Sequence, residues 1–348
     1  MTVNKILEED LDCFVNHFPF AEACAGKTFF ITGATGLLGS LFVKSLLRLN
    51  EVCHTEVRIV ATARNREKVR QLFGEAPVEW HFQDVTEPVV LPERPVDYIV
   101  HLAGPTDSQY FTKYPVETLR TVVEGTRSVL EYARTAGCRS MVYASSLEVY
   151  GTNGDDRLLN EDFQGYVAPT DVRSSYNIGK RTAECLCHAY SREYGVPVRI
   201  ARLTQTFGAG ASYDDRRVFA QFARRLVEGE AIELHTEGRT CRMYCYTIDA
   251  IRALFYLLMR GADGEAYNVA NPESYISIRE LAELLVKEFG EGSRVVMHLR
   301  NDRGYAPETK LKLDTSKLES LGWRPCFDLK QMFGRLLAYY EAISTHSD

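Results

Sequence analysis

The sequence predicts an α/β fold: a doubly wound parallel sheet with a smaller C-terminal lobe interleaved with it. Three observations carry that reading. Apolar runs without alternation, KTFFIT at 27–32 and VRIVATA at 57–63, suit strands covered on both faces. Such runs alternate with helical stretches, as in sheets whose parallel strands are joined by helices. The first run leads directly into a glycine-rich turn, GATGLLG at 33–39, that opens a helix.

The elements follow in order. Residues 4–18 form a short amphipathic helix outside the main pattern, within an N-terminal helical extension (1–25) that has no assigned role. Strand Lys27–Thr32, the turn and the helical stretch SLFVKSLLRL come next. Strand Val57–Ala63 precedes a charged helix, Arg66–Phe73, and Trp80–Phe82 and Tyr98–Leu102 are further strands. A polar loop leads into a long helix, Pro115–Ala136. Strand Ser140–Ala144 runs into SSLEVYG and a Gly/Asp-rich loop at 151–160, then helix Ser175–Tyr194 and strand Val198–Leu203. Short elements fill 204–243, whereas helix Ile248–Arg260 and strand Ala266–Ala270 return to the earlier style, and 271–348 reads as helices and loops. The expected organisation is a sheet domain of 26–203, to which 244–270 returns, and a second lobe of 204–243 and 271–348, with the binding cleft between them.

Composition narrows the function. The 47 acidic residues outnumber 41 Lys and Arg, giving a net charge of -6, so the chain lacks the basic character that binding nucleic acid requires. No apolar run is long enough to span a membrane, and the acidic N-terminus lacks the layout of a secretory leader. A cytoplasmic protein with no membrane partner is expected. Among nine cysteines, Cys185-x-Cys187 and Cys241-x3-Cys245 lack second halves at zinc-site spacing, so reduced thiols and no metal site are expected.

The glycine turn has a physical reading. Gly33 permits a tight bend, Gly36 lets backbone approach a pyrophosphate at the helix N-terminus, and Gly39 allows close helix–sheet packing. Thr35, Leu37 and Leu38 complete the turn. In this strand–turn–helix context the turn is expected to be the cofactor turn of a Rossmann-like domain binding a dinucleotide, against a plain tight turn. Strand Val57–Ala63 ends in Ala63-Arg64-Asn65-Arg66, without the acid that favours NAD, so NADP stays open beside NAD. Arg64 or Arg66 could stack on adenine or hold a 2′-phosphate, or simply start a solvated helix. Asp84 and Val85 could meet the adenine edge, or form a turn.

Tyr176 and Lys180 lie four apart on a helix and so share a face. A phenol is a weak base at neutral pH, and a neighbouring lysine cation favours its phenolate. One strand earlier, Ser145 and Ser146 stand at a carboxyl edge, where such sheets bind ligands. A hydroxyl there could bond a substrate and share its proton with Tyr176, or merely satisfy backbone groups.

Four motifs in this order, TGATGLLG, HLAGP at 101–105, SSLEVYG and YNIGK, resemble extended short-chain dehydrogenases/reductases of the NAD-dependent epimerase/dehydratase family. The likeness covers residues 26–335. HLAGPTDSQYF, PVETLRTVVEGT and RSSYNIGKRTAE are most similar to UDP-glucuronate decarboxylases. The resemblance implies a sugar-nucleotide substrate, an NAD cofactor that is recycled, and a homodimer joined through the helices at 115–136 and 175–194. It implies a triad of Ser146, Tyr176 and Lys180 with Glu148 as a further catalytic group. By the same likeness, Leu102, Ala103 and Gly104 meet the cofactor. Pro105, Ser145 and Gln205 meet the substrate, while Arg217 and Arg242 pair with its diphosphate or a carboxylate.

Departures mark the reaction as hybrid. Decarboxylases of this type carry Ser at the position of Leu147, and 4,6-dehydratases carry Asp. Simple 4-epimerases tolerate an apolar residue there but usually lack the Glu found at 148. Gln205 replaces an Asn, and Ala209 a Pro. The expectation is an enzyme working through a 4-keto sugar, with decarboxylation ahead of 4-epimerisation or 4,6-dehydration. A non-catalytic dinucleotide sensor is the alternative of another class. It has no use for the phenol–lysine pair.

Overall fold

The computed structural model describes residues 4–91, 95–299 and 308–344. Residues 1–3 of the predicted extension, and 300–307 and 345–348 of the predicted second lobe, lie outside the described residues.

The central sheet has seven strands: Thr28–Thr32 (β1), Arg58–Ala63 (β2), Glu79–Phe82 (β3), Tyr98–His101 (β4), Ser140–Ser146 (β5), Val198–Leu203 (β6) and Ala266–Val269 (β7). Their order is β7-β6-β5-β4-β1-β2-β3, and every pairing is parallel. The order reverses between β1 and β4, which opens a crevice at the carboxyl edge.

The helices are Lys5–Asn16 (α1), Leu37–Cys53 (α2), Arg66–Phe73 (α3), Ser108–Lys113 (α4), Pro115–Ala136 (α5), Ser174–Tyr194 (α6), Val218–Val227 (α7), Thr247–Arg260 (α8), Ile278–Phe289 (α9) and Leu329–Ser344 (α10). Two further single turns are helical. β1 shows why its sequence does not alternate. Phe29 and Ile31 join the cluster on the face of α2 and α8, while Phe30 joins Val129, Leu130 and Ala183 on the face of α5 and α6. Every β1 residue is therefore buried. Phe42 of α2 stacks on Phe255 of α8 at 4.5 Å, a pair worth about 1 kcal/mol beyond its buried area.

Three features depart from the sequence reading. The polar loop before α5 contains α4, started by Asp107, whose side chain accepts from the Gln109 N–H at 2.9 Å. Six residues are too few to display helical periodicity. Short strands beyond the main sheet pair across long sequence distances, as Gln205–Phe207 does with Tyr244–Tyr246, and Ile232–Leu234 with Val295–Met297. Finally, α1 belongs to the main core. Phe14 is fully buried against Phe255, and buried Asp10 accepts from Tyr246 at 2.8 Å and from Arg335 at 2.7 Å.

Candidate active site

Gly33 bends the chain at φ 67°, and a Cβ there would lie 2.7 Å from the backbone of Leu102 and Ala103. A Cβ on Gly39 would meet the Gly33 carbonyl at 2.1 Å, so the turn tolerates no side chain at either position. Gly36 is the N-cap of α2 and offers no side-chain cap. The first N–H groups of this 17-residue helix thus face a cleft with their partial positive charge uncompensated.

That cleft has two connected chambers of about 400 and 310 Å³. Gly33, Gly36, Leu102, Gly104 and Pro105 line both. The larger chamber adds Thr35, Ala103, Arg64, Asp84 and Val85 from the expected set. Asp84 accepts from the Thr86 N–H and hydroxyl at 3.0 and 2.8 Å, as a turn residue does, and it also lines the chamber. These bonds hold its carboxyl below the ordinary range, while an ion pair with exposed Arg64 spans 3.7 Å. Arg66 lies over the Phe82 ring at 3.9 Å, and the chamber is lined by Lys68 instead. An uncapped helix end above a glycine floor, beside this chamber, fits a nicotinamide dinucleotide.

The smaller chamber gathers Leu37, Leu38, Gly39, Ser146, Glu148 and Gln205, with Tyr176, Lys180 and Arg217 beside them. Tyr176 and Lys180 occupy the first turns of α6, and Ser146 ends β5. Burial pushes the Tyr176 phenol up to about 12, against a hydrogen bond with Ser146 and the charge of Arg217, which lower it. Burial also pulls Lys180 down to about 8. Its ammonium donates to the Ala144 carbonyl at 2.6 Å and lies 5.8 Å from the Tyr176 ring centre.

Three expected residues are engaged with the protein's own groups. Ser145 borders the chamber, but its hydroxyl donates to Glu184, whose carboxylate pairs with Arg202 at 2.7 Å in a buried α6–β6 bridge. Strand alternation separates the serines, leaving Ser146 toward Tyr176. Arg217 lines the chamber, yet it is gripped by Asp215 at 2.6 Å. Arg242 does not line the cleft. It is half-buried, donating to the carbonyls of Cys241 and Thr309 at 3.2 and 3.3 Å, and desolvation lowers its pKa against the charge of Glu148.

Sequence reasoning missed two neighbours of the triad. Phe111, on α4, stacks flat on Tyr176 at 4.1 Å. Asn177 donates to the Glu148 carbonyl and carboxylate at 2.9 and 3.3 Å, aiming that side chain. Both stand inside motifs already singled out, TDSQYF and YNIGK, but nothing in those strings says which residues touch.

A model of the NAD dependent epimerase/dehydratase family matches residues 29–270. UDP-glucuronic acid decarboxylase 3 of Arabidopsis thaliana is 34% identical over 304 residues, covering 86% of this chain and 85% of the relative. UDP-glucuronic acid decarboxylase 1 of Danio rerio is 32% identical over 346 residues, covering 98% and 80%. Among solved structures, the dTDP-glucose 4,6-dehydratase of Streptomyces venezuelae with NAD bound superposes with a TM-score of 0.75 at 25% identity, covering 92% of this chain and 98% of that one. The UDP-glucuronic acid 4-epimerase of Bacillus cereus with UDP-glucuronic acid and NAD gives 0.74 at 20% identity, covering 91% and 99%, a likeness of fold.

Proposed function

The chain belongs to the NAD-dependent epimerase/dehydratase family, and on that premise we propose that it decarboxylates a nucleotide-linked uronic acid, with UDP-glucuronate as the first substrate to test. The carrying observation is the convergence of Ser146, Tyr176 and Lys180 beside an uncapped helix end at the carboxyl edge. The decarboxylase relatives over most of the chain support the choice of reaction.

When bound, the nicotinamide supplies an acceptor, and later a donor, of hydride at the sugar C4. Tyr176, as phenolate, takes the proton of the 4-hydroxyl, and the Ser146 hydroxyl bridges the two oxygens. The Lys180 cation stabilises the phenolate in a pocket where burial otherwise opposes ionisation. Sugar C4 becomes a ketone. Loss of the C5 carboxylate as carbon dioxide then leaves charge that spreads into that ketone. Glu148, held by Asn177, is the proposed group for proton traffic at C5, and Arg217 the proposed anion contact.

The same reading takes 26–203 with 244–270 as the cofactor domain and 204–243 with 271–348 as the substrate lobe. It has two copies joined through α5 and α6 in the cytoplasm. No helix among the described residues is long and apolar enough to cross a membrane. Exposed Val116 and Leu119 on α5 fit such a junction.

A second reading, 4-epimerisation, is favoured by Leu147, which cannot transfer a proton. Incubating the purified chain with NAD and UDP-glucuronate, and weighing the product, separates them. Decarboxylation gives a product lighter by carbon dioxide. An isomer of unchanged mass supports epimerisation and overturns the first reading.

A further inference from the structure

We infer that Cys13, His17 and Cys326 form a site for a thiophilic divalent cation, Zn2+ by chemical class, that staples the first helix to the segment before the last one. Their ligand atoms lie within 4.8 Å of one another. A tetrahedral zinc with bonds of about 2.3 Å to sulfur and 2.0 Å to nitrogen needs ligand separations of about 3.5–3.8 Å. The Cys13 Sγ to His17 Nδ1 distance is already 3.7 Å.

The geometry follows from both chain ends. Cys13 and His17 are one turn apart at the end of α1, with His17 as the helix C-cap. Cys326 is held independently: its N–H donates to buried Asp249 at 2.8 Å, and the next N–H, of Phe327, reaches the other carboxylate oxygen at 3.3 Å. One sulfur therefore sits on a rigid anchor, and α1 brings the other two ligands to it. The Arg252 guanidinium donates to the Cys326 sulfur at 2.8 Å. His17 is exposed, and its Nδ1 lies 2.9 Å from the Cys13 carbonyl as well as near the Cys13 sulfur, so a cation that takes this nitrogen displaces the carbonyl contact. The exposed side leaves the fourth position to water.

Two thiols alone would also suit a disulfide. The histidine beside the Cys13 sulfur, with all three ligand atoms within 4.8 Å, is what favours the cation, because a disulfide has no use for it. Binding releases the thiol protons to solvent, so affinity rises with pH.

The test uses the full chain, stripped with a chelator under reducing conditions. Zn2+ is titrated against a chromophoric chelator, and Co2+ is added to a parallel sample. One equivalent should bind, with a sulfur-to-cobalt charge-transfer band in the near ultraviolet. Cys13→Ser or Cys326→Ser should weaken Zn2+ binding on the order of 100-fold and His17→Gln about tenfold, with Cys53→Ser unchanged as the exposed control. The cobalt spectrum is read on the unaltered chain, so a variant that fails to fold leaves the test standing. The inference fails if the unaltered chain binds Zn2+ no more tightly than the Cys13→Ser/Cys326→Ser double variant, or if the cobalt band is missing. It also fails if the unreduced chain is lighter by two hydrogens and takes up no metal after reduction, since the pair is then a disulfide.

Discussion

The two walls of the cleft are built by opposite means. The floor of the cofactor wall is mostly backbone: across eight consecutive residues, Thr32 to Gly39, backbone makes the bend, the bare helix end and the close packing contact, while the Thr32 hydroxyl accepts from the Ala103 N–H. The sugar wall is side chains drawn from β5, α6 and the segment before α7, each already engaged with the protein's own atoms. Tyr176 lies under Phe111, and Arg217 is held by Asp215. A backbone wall is preformed and tolerates almost no substitution. A side-chain wall must exchange internal partners for the substrate, so its residues contribute unequally.

The largest effect should break the sugar wall alone. Tyr176→Phe removes the general base while keeping the ring on Phe111. Turnover should fall on the order of 10³–10⁴-fold, and cofactor binding, read by calorimetry, should stay within about twofold. Comparable loss of both would mean that the walls are not separable. The cofactor wall breaks differently. Gly39→Val forces a Cβ to within 2.1 Å of a carbonyl oxygen, so the variant should lose more than about 4 kcal/mol of stability in denaturant titration and carry no cofactor.

Lys180 sharpens the comparison through pH. Its folded pKa of about 8 lies below the ordinary lysine value, so the cation is present below pH 8 and lost as pH rises through it. The Tyr176 phenolate loses its stabilising charge in the same window. The rate should therefore decline above about pH 8, and Lys180→Arg, whose cation persists, should move that decline upward in a kcat/KM profile. An unchanged profile would remove Lys180 from the proton step.

Legibility followed the same division. Most strands of the sheet were readable because burial on both faces erases alternation, as in β1, whereas edge strand β3 is half-exposed throughout. The glycine turn was readable because its function is local. What escaped was short or distant. α4 spans six residues, and the Gln205–Phe207 strand finds its partner at Tyr244–Tyr246. Arg242 shows the cost of reading a contact from a string. Its neighbours match, but its guanidinium donates to two carbonyls of its own chain. Cys13, His17 and Cys326 come from opposite ends of the chain, so no spacing rule could join them. Asp10 is similar: it reads as one acid of a surface helix, yet it is buried under Tyr246 and Arg335.

The smallest expected effect tests whether the sugar wall really exchanges partners. Asp215 grips Arg217 through its carboxylate and also accepts from the Arg217 N–H at 2.9 Å, so it both neutralises and positions that guanidinium. If a substrate anion displaces Asp215, removing the carboxylate spares the exchange but loosens the arginine. These contributions oppose each other, each about 1–2 kcal/mol for a half-buried pair, so their difference should be small. Asp215→Asn keeps the shape and backbone bond while removing the charge. It should therefore tighten KM by about two- to fivefold with kcat nearly unchanged. Asp215→Ala also loses the positioning and should gain less. A kcat change larger than the KM change would place Arg217 in the chemical step rather than in anion binding, and would move it to the same side of the comparison as Tyr176.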